Sequence, residues 1–503
     1  MSNKKYSKSV KKTKSKAQAL APQRKNWLAI AATFYAMWMT ILCPLYLEDQ
    51  YFNLRDSKGH IFLAGAFLSM AFVIVAALKE KTIKPLLPTK DVTELSLTVF
   101  AAFGIISALL SGAVKDSLFG SQCWWFGGIA MFAFALFVIL MSNTISFGRM
   151  LRNTMLTIGF IVMGIGLIHA CGVDFMYLHR YMEGGYSYGY LSTIGNINWY
   201  QAYMCLTFPL VAILFMQNDD KEMDTIYLPY MFLGAMNLIF TGCDGLYVGI
   251  GVCAFFVIPF VFSKLKRFRR FMLIVAFYGL AALMIIYLPV FDGMQASIGG
   301  LCAIFLKPIV AWGITLVGTA GYIVSRKLLK EFKPQHSKII IIVCEALLIA
   351  AVIYFLIDTI RNFNDEWGSG RGQIWRYTVE FFGGMPFFNK LIGMGPETLH
   401  IHNVPLSNAM QMNVLANHSD FLQLLITNGI IGVGAWITMW GSIIYKQIKH
   451  GNMDDCSFAF FATLMCYMGQ STVNTIQGMT TGMLSVLMGI YLGYARKNKK
   501  NNH

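Results

Sequence analysis

Apolar stretches of about 20 residues recur along the whole chain, parted by short polar or basic connectors, and no other feature limits its folding so strongly. A bilayer core offers backbone amides no water, so stretches of this length cross it as helices. The runs fall at 27–47, 61–78, 95–113, 124–141, 155–172, 199–216, 226–241, 245–262, 272–288, 301–324, 339–357, 421–445, 457–473 and 478–494. Those at 226–241 and 457–473 are short and adjoin the tight turns Gly242 to Asp244 and Asn474 to Gln477, which leaves room for a re-entrant or broken helix. The expected fold is an all-α polytopic membrane protein with about 12–14 transmembrane helices. With 56% of its residues hydrophobic and only 13% charged, the chain has too little polar surface for a soluble protein. A disordered chain needs the opposite balance.

The net charge of +16 follows the connectors. A nucleic-acid binder gathers Lys and Arg on one folded face, whereas here they sit at the chain start and between apolar runs, so no nucleic-acid partner is expected. Threading the chain with its N-terminus inside places about 32 of the 41 Lys and Arg on the cytoplasmic side, about eight outside and Lys307 within a span. The resulting divisions are a basic cytoplasmic tail at 1–26, eleven spans over 27–357, a large extracytoplasmic loop at 358–420, further spans over 421–494 and a cytoplasmic tail at 495–503. The N-terminal tail has no cleavable signal pattern and is expected to be a disordered anchor for anionic membrane lipids. The ten cysteines form no CxxC pair or other metal-ligand spacing, and Cys123 and Cys171 on the oxidising side leave a disulfide open. No internal repeat of the kind that builds many secondary transporters is visible.

Polar and aromatic residues concentrate in the loop at 358–420, whose length points to function or disorder. Its segment from Arg371 places Ile374, Trp375, Thr378, Phe381 and Phe382 on one side at helical spacing, an amphipathic helix suited to the membrane interface. Gly383, Gly384 and Pro386 end that helix. A glycine-punctuated turn follows, Leu391-Ile-Gly393-Met-Gly395-Pro-Glu397, which lets backbone approach a neighbour closely. The loop closes on Asn417-His418-Ser419-Asp420, where Ser419 or Asp420 suits a helix N-cap and sets His418 at the positive end of the next helix. A second polar stretch at 171–198 ends in Gly195-Asn196-Ile-Asn198, two amides able to bond hydroxyl-rich or phosphate-rich material.

Taken together these segments resemble the O-antigen ligase and O-antigen polymerase superfamily of bacterial envelope glycosyltransferases. Its ligases carry a His followed by Asn, Ser or Gln, nine variable residues, Gly, two more, and Gly, Thr or Tyr. His418-Ser419, nine residues, Gly429, two residues and Gly432 are similar to that pattern without a gap. The turn at 391–396, Arg371 four residues ahead of Trp375, and the paired Asn196 and Asn198 resemble the family's other motifs, in the same order. The resemblance covers roughly residues 190–440, with a weak fit at 120–128. It departs where the family often has a Ser-Arg pair near the outer end of a mid-chain span, since this chain reads Thr241-Gly-Cys-Asp244. Another cation is then needed, and Lys307 is a candidate.

The resemblance implies a GT-C-like architecture in the cytoplasmic (inner) membrane. It also implies transfer of a glycan from undecaprenyl diphosphate to a glycan or lipid acceptor hydroxyl at the outer face. Such a step must neutralise the leaving diphosphate and take a proton from the attacking hydroxyl. Arg371 suits the first demand through its bidentate guanidinium, with Arg376 and Lys307 as further phosphate ligands. His418 suits the second as base. Asn196, Asn198, Gly393 and Gly395 are expected to position substrate. Without a carboxylate cluster for a divalent metal in the outer loops, the transferase is expected to need no metal or cofactor and to invert the anomeric carbon in a single displacement. Arg371 as a surface cation, Asp244 as a turn residue and the two asparagines as helix caps are the plain alternatives. The competing function is a multi-span transporter or flippase of lipid-linked oligosaccharide, which would be expected to line a central cavity with charge.

Overall fold

A computed structural model describes residues 26–182 and 184–501, so nearly all of the tail at 1–26 and the last two residues of the chain lie outside the described residues. Five long helices come first: α1 (Trp27–Leu45), α2 (Leu54–Glu80), α3 (Val92–Leu110), α4 (Gly128–Thr144) and α5 (Arg149–Ala170). A two-residue antiparallel hairpin, β1 (Tyr190–Leu191) and β2 (Gly195–Asn196), leads into α6 (Ile197–Gln217). Then follow α7 (Lys221–Phe240), α8 (Asp244–Phe262), α9 (Leu265–Tyr287), α10 (Pro308–Lys327) and α11 (Pro334–Asn362). Beyond the loop helix α12 (Trp367–Gly384), the chain returns to the bundle through α13 (Asp420–Thr427), α14 (Gly429–His450), α15 (Ser457–Ser471) and α16 (Gly478–Asn501).

Among the described residues nine helices, α1 to α3, α5, α6 and α8 to α11, are long and apolar enough to cross a membrane, and α4 is a shorter apolar helix. The protein is an all-α polytopic membrane protein. The remaining expected spans at 226–241, 457–473 and 478–494 overlap α7, α15 and α16, which are shorter or more polar, whereas the run expected at 421–445 is not one helix but breaks at Asn428 into α13 and α14. Their setting accounts for that: α15 packs on α6 and α8, and α16 on α4. Thr463, Gln470, Thr480, Thr481 and Ser485 are buried there against protein, where a hydroxyl or amide can find a partner. α11 is the opposite case, with none of its most apolar window buried.

The end of the bundle opposite the loop is held by ion pairs across elements. Lys264 and Arg267 meet Asp454, Arg270 meets Asp224 at 2.7 Å, Lys446 meets Asp91 at 2.9 Å, and Arg496 pairs with buried Glu94. Lys264, Arg267, Arg270, Lys446 and Arg496 are thereby partnered at that end.

Two other expectations are revised by the fold. The run at 301–324 is not one helix: a short helix at Gly300–Phe305 stops before Lys307, and Pro308 opens α10. Lys307 is therefore an exposed residue just ahead of the spanning helix. The amphipathic face of α12 packs on protein, because Ile374 packs with Leu406 and Val414 of the loop, and Phe381 and Phe382 join Met385 and Leu399 with Cys123 and Ile426 of the bundle. All ten cysteines are free thiols, Cys123 and Cys171 included.

Candidate functional site

Arg371 owes its place to a reversal of backbone hand. Gly368, Ser369 and Gly370 take left-handed conformations (φ 60°, 60° and 89°) before α12 becomes regular. A Cβ on Gly372 would lie 1.8 Å from the carbonyl oxygen of Asn364, so this fold-back needs glycine there. Trp375 then ties α12 to the chain just before His418, its indole N–H donating to the Asn417 carbonyl at 2.9 Å. Arg371 donates through Nη1 to the Gly368 carbonyl at 3.0 Å and leaves its buried Nε without a partner. Burial pulls its pKa down, and the nearby Cys243 and Asp244 oppose that shift. The loop thus delivers a guanidinium to the start of α8, the stretch where Asp244 stands and a cation was missing.

His418 sits beside that guanidinium. Its backbone is left-handed (φ 49°), and the next residue, Ser419, caps α13 by accepting from the Leu422 N–H at 3.5 Å. Burial, reinforced by the charge of Arg371, lowers the imidazole pKa to about 4. The ring is therefore neutral across the physiological range, and its buried Nδ1 has no hydrogen-bond partner.

The paired asparagines close the same space. The Asn196 side chain caps α6 by accepting from the Asn198 N–H at 2.9 Å, and the Asn198 side-chain oxygen accepts from the Cys243 thiol at 3.7 Å. Asn474 donates to the Asn198 carbonyl at 2.9 Å. Together Asn196, Asn198 and His418 line a cavity of about 60 Å³ whose other walls are Trp124, Trp199, Asn474, Thr475 and Gln477. Thr475 Oγ1 and Gln477 Oε1 are buried there without a hydrogen-bond partner. Buried polar atoms ordinarily find partners, so several unpaired ones on one cavity mark a place for a polar ligand.

Gly393 and Gly395 stand elsewhere. Both have positive φ (86° and 108°), and Met394 and Gly395 donate backbone N–H groups to the Ile426 and Thr427 carbonyls at 2.9 and 3.0 Å. A Cβ on Gly393 would lie 2.2 Å from the Thr427 oxygen, and one on Gly429 2.4 Å from the Leu391 oxygen. These glycines dock the loop onto the break between α13 and α14 and do not line the His418 cavity. Arg376 is also apart from it: half-exposed, it is gripped by Asp365 at 3.0 and 2.6 Å and faces Glu380. Asp244 accepts from the Leu301 N–H at 2.7 Å and so pins the segment between α9 and α10 to the start of α8.

Sequence reasoning passed over Glu397, Trp124, Trp199 and the 474–477 turn as site residues. Glu397 is buried in the loop and accepts from the backbone N–H of Trp124, while the Trp124 indole donates to the Leu415 carbonyl at 3.1 Å. Burial raises the Glu397 carboxyl to about 8, against the pull of backbone N–H groups at Trp124 and Phe126. A carboxylate two residues past Gly395, and the three polar residues Asn474, Thr475 and Gln477 gathered between apolar runs, were the available signals. Among the described residues no three His, Cys, Asp or Glu side chains converge to hold a metal ion. No family model matches the chain, and no curated protein matches it.

Proposed function

We propose that the protein is a membrane glycosyltransferase of the O-antigen ligase or polymerase kind. It moves a glycan from undecaprenyl diphosphate to an acceptor hydroxyl at the outer face of the cytoplasmic membrane. The observation that carries the proposal is that a neutral imidazole and two asparagines, from segments more than 200 residues apart, line one polar cavity, while a buried guanidinium acts electrostatically on that imidazole.

In the proposed step the acceptor oxygen forms a bond to the anomeric carbon as the carbon–oxygen bond to the diphosphate breaks. The bonding pair leaves on the phosphate oxygen, and the acceptor proton passes to His418. Arg371 balances the charge that grows on the leaving group. The guanidinium that depresses His418 is offset once a diphosphate lies beside it, so donor binding strengthens the base. Attack opposite the leaving group inverts the anomeric configuration.

Sidedness follows the positive-inside rule, with the ion-paired end cytoplasmic, both termini inside and the loop extracytoplasmic. Polar groups gather at the loop end, whereas the cavity between α6, α8, α9 and α10 is purely apolar, about 320 Å³, and suits a lipid chain. That distribution favours a transferase over a transporter with a charged central path.

The test is expression of His418→Ala and Arg371→Ala in a strain lacking the native copy, at matched membrane levels, scoring surface polysaccharide and lipid-linked intermediate by gel. Loss of polymer with accumulation of undecaprenyl-linked glycan is expected. Wild-type polymer in both variants would overturn the assignment.

A further inference from the structure

Beside the His418 cavity lies a larger one of about 270 Å³, and the two share Trp124, Asn196 and Trp199 as a common wall. Its far side is the segment that opens α2, with Asn53 and Arg55, and its roof is Tyr190 of the hairpin. We infer that this cavity binds the acceptor and that the acceptor is a carbohydrate, its terminal sugar seated against the two tryptophans with one hydroxyl reaching His418.

The chemistry of the walls carries the inference, which rests on the transferase reading above. A sugar ring has an apolar C–H face and a rim of hydroxyls, so its sites pair aromatic planes with amides and charged donors. Trp124 and Trp199 stand edge to face, with ring centroids 5.6 Å apart at 86°, and present two fixed aromatic surfaces. Trp124 is held by Leu415 and Glu397 from the loop, so its plane is set before any ligand arrives. Asn53 occupies the N-cap position of α2 yet makes no capping hydrogen bond, which leaves its amide for a ligand. Asn196 commits its oxygen to capping α6, and its Nδ2 remains a donor. Arg55 is turned by Asp56, through Nε at 3.3 Å. A lipid tail would find the wrong surface here, and the apolar cavity deeper between the helices is the contrasting environment.

The experiment is saturation-transfer NMR on the full chain in lipid nanodiscs, with free di- to tetrasaccharides, neutral and uronic-acid-containing, as probes. At least one probe is expected to bind the wild type. Asn53→Ala, which removes no helix cap, should weaken that binding roughly fivefold, the worth of one hydrogen bond. Trp199→Ala should weaken it more, while Arg376→Ala leaves it unchanged. Failure of every probe to bind at millimolar concentration, or undiminished binding by both Asn53→Ala and Trp199→Ala, would overturn the inference. The readout involves no transfer. Sugar binding that survives in His418→Ala supports the cavity, and sugar binding by a wild type that transfers no glycan would sink the transferase assignment while keeping the cavity.

Discussion

At the scale of single residues the site is governed by electrostatics in a partly buried space. His418 is held near pKa 4 by burial and by Arg371, so the free protein keeps this proposed base unprotonated well below the ordinary histidine range. The acid limb of kcat/KM, which reports the free enzyme, is therefore expected near pH 4. The limb of kcat, which reports the donor complex, should lie higher, because the bound diphosphate offsets the guanidinium. Identical limbs near 6.5 would contradict this. Glu397 works through Trp124. Its raised pKa means that the folded loop binds a proton more tightly than the unfolded chain, so its contribution to stability is complete below about 4.5 and fades as pH rises toward 8. Glu397→Gln should keep activity and flatten the fall in loop protection from hydrogen exchange over that window, while Glu397→Ala should lower kcat with Trp124 loosened. His418, Arg371, Asn196 and Asn198 were legible in the chain because each sits in a short pattern of fixed spacing. Trp124, Glu397 and Gln477 were not, because each gains its place only by meeting a segment far away in sequence.

At the scale of elements, close backbone contact sets the loop on the bundle. Gly393 and Gly429 permit carbonyl-to-backbone approaches that a side chain would block, and Gly395 lies against the side chains of Ser111 and Ser117. The glycine turn was legible as a place of close approach, but its partner, the end of α13, was not, since nothing local names the neighbour. Gly429→Ala sets a Cβ against the Leu391 carbonyl at a positive φ of 66° and should cost about 1–3 kcal/mol, read as a lower Tm and faster proteolysis of the loop. Gly434→Ala on the same helix meets nothing within 4 Å and should be neutral or stabilising, by up to about 1 kcal/mol. Equal destabilisation by both would mean that helix content, not docking, decides. Arg376 and Lys307 show the limit of reading cations from type alone: one is satisfied by Asp365 and the other stands exposed before α10.

At the scale of the molecule, hydropathy fixed the class and the order of helices, because lipid imposes one strong rule on every exposed span. It could not certify α14 to α16, whose buried faces answer to protein neighbours. The proposed topology places the loop outside and the ion-paired end within. A phosphatase fused after Asn413 should be active and one fused after Asn452 inactive, and the reverse pattern would invert the bundle. Two kinds of space then coexist, polar and aromatic near the loop and apolar between helices, as a lipid-linked donor and a hydroxylated acceptor require. The most direct measurement is release of undecaprenyl diphosphate by the purified full chain in proteoliposomes, supplied with undecaprenyl-diphosphate-linked glycan and free oligosaccharide acceptor in the presence of EDTA. Release by the wild type is expected, with a loss of about 10²–10⁴-fold in His418→Ala, the usual worth of a general base. Release by His418→Ala at the wild-type rate, or none from the wild type, would contradict the transferase assignment.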